Sequence, residues 1–152
     1  MEGFKLPSGW KKSERKKQVG QRLTTCFHQV LNNTRLCLIS TLFGPYPFID
    51  FINNFTGWSI SVDVLLKIGL TIQVLRQAFN LREDLDVMNN KLPGRITGHL
   101  PDKRGSIKGI SIEYEESFKG YCKEMGWNPE NGYPLKKSLT KLDLDFVIKD
   151  LY

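Results

Sequence analysis

Cysteine is scarce in this 152-residue chain, and Cys26, Cys37 and Cys122 form an odd set without regular spacing. That excludes a disulfide framework and leaves at least one thiol unbridged. Histidine is scarcer still, with two residues in all. His28 lies two positions from Cys26, so on a helix the two side chains leave on different sides, and no second pair follows at zinc-binding distance. His28 reads as a surface or half-buried histidine and His99 as a solvated loop residue. Long apolar runs are also missing. The most apolar stretch, residues 36–52, is broken by Gly44, Pro45, Pro47 and Asp50 and falls short of the ~20 residues that a membrane span requires. The first residues lack the basic segment followed by an apolar core that an export signal needs. A cytoplasmic protein is expected, so the sequons at Asn32 and Asn54 are idle. No glycine-rich phosphate loop, nucleophile elbow or Ser/His/Asp set occurs, and no catalytic residue is assigned. Glu113, Glu115 and Glu116 resemble paired catalytic carboxylates, but acidic residues at a helix start are explained by the helix dipole alone.

What is present is an ordinary globular composition, 40% hydrophobic and 25% charged, enough for one core. The net charge of +6 is concentrated at one end. Residues 1–40 carry eight Lys or Arg against two acidic residues, and the other 112 residues carry fourteen of each sign. Lys11, Lys12, Arg15, Lys16, Lys17 and Arg22 could meet phosphates or an acidic protein partner. No aromatic platform or helix-turn-helix spacing accompanies them, so nucleic acid is the less favoured partner.

The spacing of apolar residues predicts an all-α protein, an irregular helical bundle. Residues 1–12 form a loose basic leader and residues 13–152 a helical domain. Val19, Leu23, Cys26, Phe27, Val30 and Leu31 mark the buried face of a first helix that stops near Asn32-Asn33, and Leu36 to Phe43 reads as a short apolar helix. After the Gly44–Pro47 break a short helix spans Phe48 to Phe55. Ser61 is the predicted N-cap of the longest helix, with Val62, Leu65, Leu66, Gly69, Ile72, Leu75 and Phe79 as its stripe. Residues 83–111, rich in glycine and proline, predict a long connecting loop. A helix over Ile112 to Met125 follows, with Tyr114, Phe118, Tyr121, Cys122 and Met125 on one side. Pro134 opens one last helix carrying Leu135, Leu139 and Leu142. Cys26 and Cys122 read as small core residues.

Several short motifs occur in order: Asn54-Phe55-Thr56-Gly57-Trp58, then Phe79-Asn80-Leu81-Arg82-Glu83, then Leu92-Pro93-Gly94-Arg95, then Tyr121 to Gly126-Trp127. Together they resemble the C-terminal domain of the tungsten-containing aldehyde ferredoxin oxidoreductases, over about Ser13 to Leu144. That family has a turn with Thr-Gly, a helix closing in Phe-Asn-x-Arg-Glu-Gly, a Leu-Pro-x-Arg step and a helix running into Gly-Trp. The resemblance implies a helical domain packed on a catalytic part that holds tungsten, or molybdenum, on two pterin dithiolenes beside a [4Fe-4S] cluster that reduces ferredoxin. It further implies that the fourth cluster cysteine ends a motif Asp-x-x-Gly-Leu-Cys, which falls here on Asn32 to Cys37. Cys37 is then the metal ligand, and Asn32 and Leu36 are cofactor-binding positions. Asn32 replaces the carboxylate and keeps hydrogen-bonding capacity without the charge. Arg35 replaces the glycine and adds a cationic side chain.

With one candidate ligand the chain is expected to hold no cofactor alone. Three readings follow: a free-standing or split-off C-terminal domain, inactive by itself, that helps enclose a tungstopterin and [4Fe-4S] site on a separate catalytic chain and so serves ferredoxin; a fragment of a longer enzyme; or a small module that binds through its basic N-terminus.

Overall fold

The computed structural model describes residues 14–37, 39, 47–85, 88, 92–98, 109 and 111–152. Within them lie seven helices: α1 (Glu14–Asn33), α2 (Phe48–Thr56), α3 (Val62–Arg82), α4 (Gly94–Thr97), α5 (Tyr114–Met125), α6 (Lys136–Thr140) and α7 (Asp145–Leu151). The β-type pairing among the described residues is one isolated antiparallel bridge between Trp127 and Pro134. The fold is all-α, as the periodicity predicts. The basic leader and most of the Leu36–Phe43 element lie outside the described residues.

Helix α3 is the spine. Ser61 caps its N-terminus, its hydroxyl accepting from the Val64 N–H at 3.3 Å. Leu65 packs with Val30, Leu31 and Phe48, supported by Phe27, Leu36, Ile49, Ile52 and Ile60. Further along, Val74 and Ala78 enter a second and larger cluster with Tyr121, Cys122, Met125, Trp127, Leu139, Leu142, Leu144 and Val147. Helix α1 lies across both α3 and α5, and α7 packs on α3 and α6.

The predicted stripe of α3 needs correction. Its buried residues are Leu65, Gly69, Val74, Gln77, Ala78 and Leu81, whereas Val62 and Phe79 are 39% and 54% exposed. The helix is covered from two directions by α1 and by α7, so no single stripe describes it. A glutamine enters the core because its side-chain amide donates to the Gly132 carbonyl at 3.0 Å, which removes the cost of an unpaired buried donor.

Two further expectations change. The loop over 83–111 contains the single turn α4, tied back when the Ile112 N–H donates to the Thr97 carbonyl at 2.8 Å. The last helix is two, α6 and α7, separated by Asp143 at φ 59°. Leu139, Leu142 and Leu144 all reach the same cluster across that break. The leucine spacing therefore survived a change of direction that it could not report.

Four helices end in the same left-handed cap. The residue at positive φ is Arg35 (58°), Asp84 (56°), Gly126 (75°) or Asp143 (59°). In each case the next N–H reaches back to the carbonyl five positions earlier: Leu36 to Leu31 at 3.1 Å, Leu85 to Asn80 at 2.9 Å, Trp127 to Cys122 at 2.8 Å and Leu144 to Leu139 at 3.0 Å. The bond satisfies a carbonyl that the helix leaves open, and an apolar residue after the turn commonly packs back on the last turn. Here Leu36, Trp127 and Leu144 do so.

Candidate functional site

The sequence-derived site, Asn32 to Cys37, is the cap at the end of α1. Carbonyls of the last helical turns are engaged: Asn33 Nδ2 donates to Gln29 O at 2.8 Å, and the Thr34 hydroxyl is 3.0 Å from both Val30 O and Leu31 O. The Thr34 N–H donates to Val30 O at 2.9 Å and the Arg35 N–H to Asn32 O at 3.3 Å. Leu36 is half-buried against Leu31 and Phe48, which pins the turn to the core. Asn32, Arg35 and Cys37 are exposed around it. The structure thus brings the three predicted positions into one rigid turn but gives them different surroundings, with Leu36 directed into packing and Asn32 and Cys37 toward the outside.

Arg35 stands where the resembling motif has glycine, and its φ of 58° is the conformation that favours glycine. The backbone there takes a conformation that glycine adopts freely, and the chain carries the strain of a Cβ in it. Asp84 does the same after Glu83, at the position of the glycine closing the Phe-Asn-x-Arg-Glu-Gly pattern. Aspartate tolerates this region better than arginine does. Arg35→Gly is accordingly expected to stabilise the fold by about 1 kcal/mol and Asp84→Gly by less, read as a shift in urea midpoint at unchanged m-value. No gain at Arg35 would show that its side chain makes compensating contacts.

The other two thiols are core groups. Cys122 is fully buried and Cys26 is 2% exposed, and neither is disulfide-bonded. Burial pushes the Cys122 thiol up to about 11. Burial likewise raises Cys26, with Arg22 nearby pulling the other way. Thiolates are the metal-binding form, so neither core cysteine is suited to a cluster at neutral pH, and Cys37 is the exposed thiol of the three. Among the described residues no three His, Cys, Asp or Glu side chains come together as a metal site. A [4Fe-4S] cluster takes four cysteine ligands. This chain has three cysteines in all, two of them buried in the core.

His28 is half-buried on α1, and His99 lies outside the described residues. Glu113 precedes α5, and Glu115 and Glu116 occupy its first turn, exposed to solvent. A shallow groove of about 350 Å³ between α3 and α7 is lined by Leu75, Arg76, Phe79, Arg82, Phe146 and Asp150, among others. Its cations are engaged: Arg76 donates to Gln29 Oε1 at 2.9 Å, and Arg82 pairs with Glu83 at 3.0 Å while lying 5.0 Å over the Phe79 ring. Among the described residues no helix is long and apolar enough to cross a membrane.

These features define a helical domain with one exposed thiol, Cys37, just beyond a helix cap. The sequence matches the model of aldehyde ferredoxin oxidoreductase, domains 2 and 3, over residues 5–144, and the chain belongs to that family. The match begins inside the stretch read as a leader. Among curated relatives, the tungsten-containing aldehyde ferredoxin oxidoreductase of Pyrococcus horikoshii is 32% identical over 118 residues, 76% of this chain and 19% of the relative. That of Pyrococcus abyssi is 33% identical over 115 residues, 74% of this chain and 19% of the relative. The chain therefore spans about a fifth of the length of the relatives it matches.

Proposed function

We propose that this domain encloses one side of a tungstopterin and [4Fe-4S] site carried by a separate polypeptide, and that it is not catalytic alone. Cys37 is the residue that completes the cluster, and Asn32 hydrogen-bonds to a pterin edge. The cofactor, when bound, supplies the oxidation of an aldehyde to a carboxylic acid with electrons passed to ferredoxin. This chain contributes one ligand, a rigid turn to aim it, and a surface that keeps water out. The observation that carries the reading is the position of Cys37, an exposed thiol one residue beyond a hydrogen-bonded cap in a chain that spans a fifth of its tungsten-containing relatives.

The alternative, binding through the basic N-terminus, gains little from the structure. Lys11 and Lys12 lie outside the described residues, and Arg22 has its Nε buried with its charge beside the Cys26 thiol.

The test is purification of the chain from the cells that make it, followed by metal and iron analysis. A companion chain bearing tungsten and iron is expected to co-purify. Cys37→Ala is expected to lower the iron content and the visible absorption of the complex, while Cys122→Ala leaves both intact. A metal-free chain that purifies alone, or a cluster indifferent to Cys37→Ala, would overturn the proposal.

A further inference from the structure

Among the described residues the turn joining α2 to α3 has an unusual surface. Phe55 is 93% exposed, Trp58 60% and Phe51 51%, and Phe51 and Phe55 lie one helical turn apart on the same side of α2. The adjoining side of α2 is committed to the core through Ile49 and Ile52, and Phe48 at its start is buried and in edge contact with Phe27 at 6.0 Å. Phe51 and Phe55 thus extend the apolar face of α2 past its core contact into solvent, where a solvent-facing helix carries polar residues.

This turn is also stiff. Asn53 uses both ends of its amide on one residue, donating to Ile60 O at 3.1 Å and accepting from the Ile60 N–H at 2.8 Å. The Thr56 hydroxyl donates to Ile52 O at 2.7 Å and accepts from the Trp58 N–H at 3.2 Å, and the Gly57 N–H donates to Asn53 O at 2.9 Å. Exposed aromatic residues on a pre-ordered loop lose little further freedom on binding, and such residues are the commonest anchors of protein interfaces.

Charge narrows the choice of occupant. Between Arg35 and Lys67 there is no Lys or Arg, and the charged residues in that interval are Asp50 and Asp63, flanking the turn. From Phe51 to Val62 no residue is charged. Depletion of charge around aromatic residues is the signature of an interface centre. An acidic rim repels anionic lipid headgroups, which attract basic segments instead. It also disfavours a second copy of the chain, because a two-fold contact would set the same carboxylates against one another.

We infer that the Phe51–Phe55–Trp58 edge is the docking surface by which this domain seats on the polypeptide supplying the remaining four-fifths of the family's length. Phe55 and Trp58 enter apolar pockets there, and Asp50 and Asp63 face a rim that is basic or hydrogen-bond-donating. The inference rests on the separate catalytic chain proposed above, and adds where that chain binds.

The experiment replaces Phe55, Trp58 or, as a control on another surface, Lys141 with photoreactive p-benzoylphenylalanine in the chain expressed in its own host. Adducts are identified by mass spectrometry. Cross-links from positions 55 and 58, but not 141, to a chain carrying the tungstopterin part of the family are expected. With that complex in hand, Phe55→Ala and Trp58→Ala are each expected to weaken association about thirty-fold at unchanged Tm of the isolated domain. If the complex co-purifies but cross-links only through Lys141, or tolerates both substitutions, the docking surface is wrong while the proposed function stands. Adducts to a second copy or to lipid overturn it in favour of those occupants. Absence of any adduct together with absence of a companion chain overturns both readings.

Discussion

Gly69→Ala is expected to destabilise the fold by roughly 2–4 kcal/mol, although alanine is the better helix former by about 1 kcal/mol. A Cβ at Gly69 would lie 2.0 Å from the Cys26 carbonyl oxygen, 2.6 Å from its carbon and 3.0 Å from its Cα. All three are backbone atoms of α1, so no side-chain rotation relieves the clash. Helices α1 and α3 would have to separate by more than an ångström to restore ordinary contact at 3.4 Å. Separation would also stretch the polar bridge between them, where Gln29 Nε2 donates to Gln73 Oε1 at 2.7 Å and Arg76 donates to Gln29 Oε1. In a domain of this size the loss corresponds to a drop in Tm of roughly 5–12 °C. A neutral or stabilised variant in urea or thermal unfolding would mean that the helices do not cross at Cys26 and Gly69.

Trp127→Ala is expected to cost about 3–5 kcal/mol, a large part of the total stability of an ordinary domain. Trp127 is 3% exposed and meets the Tyr121 ring edge-on at 5.8 Å. It lies at the junction of α5 with the segment leading to α6, where its N–H closes the cap of α5 and the Leu135 N–H donates to Gly126 O at 2.9 Å. Truncation leaves a cavity bounded by Met125, Leu139, Leu142 and Leu144, held in place by two helices and a turn and so unable to collapse. Trp127→Phe separates packing from hydrogen bonding. The indole N–H is buried without an acceptor among the described residues, so phenylalanine loses volume but removes an unpaired donor. Its expected cost is about 1–2 kcal/mol. Equal losses for the two variants would show that the indole N–H is bonded after all.

Much of the fold can be read from the chain. The first helix, the capped start of α3 at Ser61, the end of α5 at Gly126 and the burial of Cys26 and Cys122 all follow from local spacing and capping chemistry. The helix end that escaped is that of α6, whose left-handed residue, Asp143, is not glycine. Asp143 carries no local mark of positive φ, and Leu144 behind it is drawn onto the core by contacts with residues distant in sequence. The candidate site is likewise half legible. Its cysteine and its turn can be picked out by resemblance, but the contrast between Cys37 outside and Leu36 inside depends on Phe48 and Leu65 arriving from other helices. The aromatic turn could have been noticed from the charge-free run Phe51 to Val62, since such a run belongs either in a core or at an interface.

The order of residues by itself determined an all-helical chain of one family, with its cysteines undisposed to pair and its motifs in register, because helix periodicity and capping act over a few residues. The tertiary structure alone decided which sides of α3 are covered, where Gly69 lets two backbones meet, and that Phe55 and Trp58 stand outside while Trp127 lies within. Each of those outcomes depends on which surfaces of distant segments come together, and burial is a property of the assembled surfaces rather than of any residue's neighbours along the chain.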